Sequence, residues 1–245
     1  MISNSSPDSH AQGFTAGVVD ALRYDGHSDD PREVAGILQS FMPSGVRVLD
    51  VGCGTGSVTM IANRDKNNRV YAIEPDAARA KIAKSRGIEV YEGYLTDDYL
   101  VGREKFDVIM FADVLEHVAE PATLLRIAAK GLARDGILLV SVPNVAHWTV
   151  RTRLLLGRFE YADVGIMDAT HLRWFTAKSI SRLLNRGGFE ILECKQTAGV
   201  ELPEYHNRLW TWMPGRIRRS IIRGMAAAMP LLFGCQHVIK ARITT

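Results

Sequence analysis

The stretch Asp50-Val51-Gly52-Cys53-Gly54-Thr55-Gly56 constrains this chain more than any other. It follows an apolar run at residues 46–51 (VRVLDV), which reads as a buried parallel strand, and it opens a segment at about 57–64 that reads as a helix. Glycines at this junction let the backbone turn sharply and let a ligand approach without Cβ interference. A strand, a glycine turn and a helix in that order form the first unit of an open α/β sheet.

The rest of the first half repeats the alternation. Strands are expected at 70–73, 88–91, 107–111 and 136–142, with helices at 30–42, 76–85 and 122–133. Asp29 or Asp30 caps the first of these helices, and Pro31 stands in its first turn. The second half is less regular: a short helix at 148–156, a loop to His171, and a helix from Thr176 to the glycine stop at Gly187-Gly188. Late strands follow at 189–194 and 237–243, with a helix at 215–229 between them. The expected fold class is α/β: a doubly wound, mostly parallel, seven-stranded sheet with a helical C-terminal insertion. Residues 1–28 are expected to be a flexible leader and N-terminal cap, and 29–245 one domain, with a substrate-covering insertion at about 145–175 and a basic helical appendage at about 198–234.

Composition agrees with one folded unit. At 245 residues, 47% hydrophobic and 23% charged, the chain has enough apolar mass for a core. A net charge of +3 is too mild to argue for nucleic acid. The charge is uneven, however: no Asp or Glu follows Glu204, while Arg208, Arg216, Arg218, Arg219, Arg223, Lys240 and Arg242 do. Cys53, Cys194 and Cys235 have no metal-ligand or disulfide-framework spacing, so free thiols and no metal are expected. The N-terminus lacks a signal-peptide core, and no run approaches 18 apolar residues. These features point to a cytoplasmic location, with a peripheral contact at the inner membrane face through residues 215–229 as a further expectation.

Two acidic residues give the glycine turn its ligand. Glu74 ends the next strand (VYAIEPD), about twenty positions on, where a carboxylate accepts hydrogen bonds from both ribose hydroxyls of an adenosine. Asp50 immediately precedes the glycines, which run GxGxG rather than GxGxxG. A carboxylate there repels a pyrophosphate, which disfavours a dinucleotide, but it can organise the loop around a zwitterionic amino acid.

Over residues 45–145 the chain resembles the class I S-adenosylmethionine-dependent methyltransferases, through VLDVGCGTG, AIEPD, FDVIMFADVLEHV and LARDGILLVSVPN in that order. Within that class it resembles the branch of ubiquinone-pathway O-methyltransferases and methyltransferases of bacterial polysaccharide clusters. The resemblance implies a Rossmann-like methyltransferase fold and S-adenosylmethionine as donor, leaving S-adenosylhomocysteine as product. It implies that Gly52 and Gly54, with Cys53 between them, flank the methionine part, that Glu74 holds the ribose, and that Pro75 or its neighbours pack on adenine. It also places Ala112 and Asp113 near the methionine moiety. The family often carries Gly-Asp after strand three; here Gly93-Tyr94-Leu95 stands instead, so the adenine is lined by Tyr94 or contacted by the backbone of Leu95.

Methyl transfer from a sulfonium needs alignment above all, with a general base when the acceptor is an alcohol. Candidates beyond the strand ends are His117, His147 and His171, with Asn144 beside His147. His117 is expected to support the site from a helix face. His171, in DATHLRWFT, is either the base or one member of a loop cross-link with Asp168, Thr170 and Arg173. The leading expectation is O-methylation of a sugar or lipid-linked glycan precursor, because guanidinium suits diphosphate. The alternatives are O- or C-methylation of a quinone or other small metabolite, and a non-catalytic donor-binding module. A nucleic-acid acceptor is not expected, since ADVL stands where a DPPY-like tetrad would follow strand four.

Overall fold

The computed structural model describes Leu22 and residues 25–206 and 208–244. Of the expected flexible leader, all but Leu22 and residues 25–28 lie outside the described residues. The elements run α1 (Val34–Phe41), β1 (Arg47–Val51), α2 (Ser57–Ala62), β2 (Arg69–Glu74), α3 (Ala77–Ser85), β3 (Glu89–Glu92), α4 (Asp97–Leu100) and β4 (Phe106–Ala112). They continue with α5 (Pro121–Gly131), β5 (Leu132–Pro143), α6 (Trp148–Leu155), α7 (Ala177–Arg186), β6 (Phe189–Gln196), α8 (Arg208–Thr211), α9 (Gly215–Ala228), α10 (Pro230–Phe233) and β7 (Gln236–Ile243).

The seven strands form one sheet in the order β3-β2-β1-β4-β5-β7-β6. All pairs are parallel except those of β7, which runs antiparallel to β5 and β6. The sequence expectation of a mostly parallel sheet closed by two late strands therefore holds. Strand order reverses between β1 and β4, and the crevice outside the carboxyl ends at such a reversal is where open α/β sheets bind ligands.

Strand alternation explains why both faces are dry. Leu49 and Val51 pack with Ile73, Ile109, Phe111 and Val140 on one face, whereas Val48 packs with Val108, Met110, Leu139 and Val238 on the other. Each face is covered: α5 and α7 lie over the first (Leu125, Leu184), and α1 and α2 over the second (Leu38, Val58). The α7 start is fixed by a reciprocal cap, with the Ser179 N–H donating to Thr176 Oγ1 at 3.2 Å and the Thr176 N–H to Ser179 Oγ at 2.9 Å.

Three local differences from the sequence reading have physical reasons. Helix α4 was not expected; it is one turn, capped by Thr96 over Tyr99 and too short to show a period. Strand β5 starts at Leu132, ahead of Gly136, because Leu132 pairs with Phe106 across a bulge before regular pairing resumes at Val108 and Ile137. The chain between β6 and β7 folds into α8, α9 and α10, with Tyr205, Ile222 and Ala226 in a small core of their own. No helix among the described residues is long and apolar enough to cross a membrane.

Candidate active site

The carboxyl ends of β1, β2 and β4 open into a cavity of about 1000 Å³. The glycine turn forms its floor. Gly52 lies at φ +76° and Gly54 at φ +56°, the left-handed region that side chains rarely adopt. A Cβ on Gly52 would lie 2.7 Å from Val114 Cγ2, whereas one on Gly54 would meet no atom within 4 Å. Gly54 therefore faces open space in the cavity, the kind of cradle a ligand fills.

Glu74, buried at the end of β2, fastens this turn. Its Oε2 accepts the Gly54 N–H at 2.8 Å and its Oε1 the Asp76 N–H at 2.9 Å, leaving a lone pair on each oxygen for a hydroxyl. Asp50, on β1 behind the turn, is 1% exposed. One of its oxygens accepts from Thr59 Oγ1 at 2.5 Å, while the other is buried with no partner and the residue lines the cavity. Burial pushes the Asp50 carboxyl up to about 7, with the Thr59 bond opposing and the Glu74 charge adding.

That orphaned oxygen fits the ammonium of a bound S-adenosylmethionine or S-adenosylhomocysteine, which needs the ionised carboxylate. The affinity for S-adenosylhomocysteine is then expected to weaken as pH falls through about 7, approaching tenfold per pH unit on the acid side. In the empty protein the sign is opposite. There the stability owed to the neutral carboxyl is complete below its ordinary 3.8 and lost as pH rises through about 7. Titrations across that range check this; Asp50→Asn should remove the acid-side slope, and a slope of equal size in that variant would refute the role.

Asp113 follows β4 with φ +54°, a strained value for a non-glycine residue and one often found at functional positions. Neighbouring strands hold it there. Ser141 on β5 donates to its carboxylate at 2.8 Å, and Gln236 on β7 donates to both oxygens at 3.0 Å. Burial raises the Asp113 carboxyl, and these donors oppose the rise.

Farther along the cavity three groups converge. Glu116, His117 and His171 each offer a ligand-type atom, all within 4.8 Å of one another; among the described residues they are the one such trio of acidic, histidine or cysteine side chains. His117 and His171 meet edge to face at 4.9 Å between ring centres. The His171 Nδ1–H donates to the Ile166 carbonyl at 3.2 Å, and the His117 Nδ1–H to the Thr170 carbonyl at 3.2 Å. A carbonyl can only accept, so Nδ1 of each ring is the donor in these bonds. Both oxygens of Glu116 are buried without a partner, and burial, reinforced by Asp113, pushes this carboxyl far above the usual range. Its backbone carbonyl accepts the N–H groups of Leu172 and Arg173 at 2.8 and 2.9 Å, which ties the loop of His171 to the segment after β4.

Most of the residues expected from sequence meet at this cavity: Asp50, Gly52, Cys53, Gly54, Glu74, Pro75, Tyr94, Leu95, Ala112, Asp113, His117 and His171 all line it. Tyr94 is 73% exposed, whereas Leu95 is buried. His147 does not join them, and that expectation is corrected. It is fully buried away from the cavity, with Nδ1 2.9 Å from Thr149 Oγ1 and its ring against Trp148 and Tyr205; burial lowers its pKa to about 4. Asn144 is structural too, donating to the Gly234 carbonyl at 2.8 Å. Sequence reasoning missed Glu116, Gln236 and His27, which also line the cavity. It missed as well the clamp in which Arg86 donates twice to Asp25, each at 2.8 Å, beside Thr55. Adjacency to His117 was the one signal for Glu116; the others depend on distant parts of the chain.

A family profile described as a methyltransferase domain matches residues 26–194, more than half of the chain. Among curated relatives, the ubiquinone biosynthesis O-methyltransferase of Caulobacter sp. (strain K31) is 33% identical over 113 residues, 41% of this chain and 42% of that protein. The chain spans about half the length of the first curated relatives it matches. Among solved structures, an S-adenosylmethionine-dependent methyltransferase from Mesorhizobium loti superposes with a TM-score of 0.57 at 17% identity, over 89% of this chain and 99% of that one. The [4+2]-cyclase SpnF superposes with a TM-score of 0.55 at 20% identity, over 86% and 80% of the two chains. Likeness at these identities is likeness of fold, and a fold shared with a cyclase does not name a reaction.

Proposed function

The chain belongs to the methyltransferase-domain family, the class I S-adenosylmethionine-dependent methyltransferases, and from that premise we propose that it methylates a hydroxyl of a small, neutral, largely apolar acceptor. One observation carries this reading: a single cavity joins the cradle of Gly54, Glu74 and Asp50 to the trio of Glu116, His117 and His171. When bound, the donor supplies a methyl group already activated on a sulfonium. The chain's own residues then have three tasks. Glu74 accepts the ribose hydroxyls, Asp50 and Asp113 set the charge around the amino-acid end, and His171 Nε2 takes the proton of the acceptor hydroxyl as its oxygen attacks.

The lining selects among acceptors. Arg79 is the one Arg or Lys among the residues lining the cavity, and it lies close in sequence to Glu74 and Asp76. Around the trio the wall is apolar: Val118, Leu124, Ile166, Leu172 and Leu202. A diphosphate-linked glycan precursor, the leading expectation from sequence, would find no guanidinium in this wall around the trio, and only Arg79 elsewhere in the lining. Two arginines that motivated that expectation are engaged elsewhere, Arg219 on Glu201 at 3.0 Å and Arg223 on Asp30 at 2.6 Å. The name of the Caulobacter relative, a ubiquinone biosynthesis O-methyltransferase, agrees with a quinone-type acceptor, the alternative from sequence.

Incubation with methyl-labelled donor and a fractionated extract of the source cells tests this. Label is expected in apolar small molecules, at a rate that a chelator leaves unchanged. Label confined to sugar nucleotides or glycolipids would overturn the acceptor class, and donor binding without label in any pool would favour a binding module. Loss of activity on chelation, restored by a divalent cation, would instead place an ion among Glu116, His117 and His171.

A further inference from the structure

The segment between β6 and β7 lies beyond the residues matched by the family profile, which ends at 194. Its inner face is satisfied. Tyr205, Ile222 and Ala226 are buried against Ala198 and Val200, with Trp148, Trp210 and Phe233 packed around them. Its outer face is not. Trp212 is 75% exposed, Leu231 56%, Ile217 53%, Met229 53% and Ile221 41%.

Helix geometry sorts the charges of α9. At about 100° per residue, Ile217 and Ile221 lie roughly 40° apart on one stripe, and Ala226 lies opposite them. Arg219 and Arg223 fall on the inner side, as their ion pairs with Glu201 and Asp30 require. Arg216, exposed in the first turn, lies about 100° from Ile217 in the same row as Arg223, whereas Arg218 lies about 40° from the buried Ile222 with its Nε buried; neither has an acidic partner among the described residues. No carboxylate side chain occurs from Tyr205 to Thr244 to balance them. An exposed apolar stripe, with an exposed tryptophan just ahead of its helix and an unpaired arginine in its first turn, is the composition of an element that lies in a bilayer interface. Nucleic acid would not call for the exposed isoleucines and leucine, and a protein partner would have no particular use for the charge.

The placement gives this face a purpose. The segment is bracketed by Leu202 and Cys235, and both line the cavity. Trp148 packs into the same small core, and Leu155, two turns farther along the same side of α6, is 86% exposed. We propose that the outer face of α8–α10, with Arg216, docks on an anionic lipid bilayer and sets the cavity beside its surface. The docking stands on this face alone. Its consequence, that an apolar acceptor enters from the lipid, rests on the proposed function.

Co-sedimentation of the full chain with phosphatidylcholine vesicles, with and without about one-third phosphatidylglycerol, tests the docking. Binding is expected on the anionic vesicles and is expected to weaken as salt is raised. Arg216→Gln should lower the partition constant by about fivefold, and Ile217→Ser/Ile221→Ser by tenfold or more. Both variants should keep the wild-type melting temperature and S-adenosylhomocysteine affinity, since the three side chains are exposed and none lines the cavity. Absence of binding at low salt, equal binding to uncharged vesicles, or binding indifferent to both variants would overturn the proposal. So would self-association of the unaltered chain that Ile217→Ser/Ile221→Ser abolishes while vesicle binding stays absent. Failure of methyl transfer with vesicle binding intact would count against the proposed function and not against the docking.

Discussion

Glu74→Ala is expected to weaken S-adenosylhomocysteine binding by about 100-fold or more while leaving the protein folded. Two ribose hydrogen bonds to a charged acceptor are worth roughly 1.5–3 kcal/mol each, and every 1.4 kcal/mol is tenfold in affinity. The same carboxylate accepts the N–H groups of Gly54 and Asp76, so its loss also loosens the turn that cradles the ligand. A stability cost of about 1–3 kcal/mol accompanies it, from buried donors left without a partner. The charge of Glu74 contributes to the raised pKa of Asp50, so the pH step in ligand affinity should move to lower pH in this variant. Calorimetric titration at several pH values reads both effects. Unchanged affinity would mean that the ribose is held elsewhere.

His171→Ala is expected to reduce turnover by about 10²–10⁴-fold, the usual contribution of a general base, with ligand affinity changed by no more than about threefold. The imidazole is anchored by Nδ1 on the Ile166 carbonyl, and its loop is clamped separately by the Glu116 carbonyl and by the bond from Thr170 to Asp168 at 2.6 Å. The loop should therefore survive removal of the ring. That separates the base from a cross-link, because a purely structural histidine would cost stability or ligand affinity and not the chemical step alone. His147→Ala makes the contrast. That ring is buried against Trp148 and Tyr205, so its loss should lower the melting temperature and spare turnover in the fraction that remains folded. A wild-type rate in His171→Ala would end its role as base.

The features readable in the sequence are those whose causes are local. The glycine turn needs a positive φ at Gly52 and Gly54, and only glycine supplies that cheaply, so the motif and the site coincide. Glu74 was readable because the length of one strand–helix–strand unit fixes where the next strand ends. His171 was readable as a candidate from its residue type, but its tautomer depends on a carbonyl five residues earlier that only the folded loop presents. His147 was misplaced for a related reason. Its position after β5 gives its place along the chain and not its direction, and the ring turns toward Tyr205, 58 residues on. Glu116 gave no signal of its own in the sequence. The short turn at Leu115–His117 buries it, facing a cavity no local pattern describes. Gln236, 123 residues from the aspartate it holds, depends on β7 inserting antiparallel beside β5.

The titration of the unaltered chain with S-adenosylhomocysteine, compared with NADH, tests the account most directly. One equivalent of S-adenosylhomocysteine should bind, with an affinity that weakens below about pH 7 and is lost in Glu74→Ala, and NADH should not bind. Tight binding of NADH with no affinity for S-adenosylhomocysteine would contradict it, because the cradle of Asp50, Gly54 and Glu74 would then serve a dinucleotide.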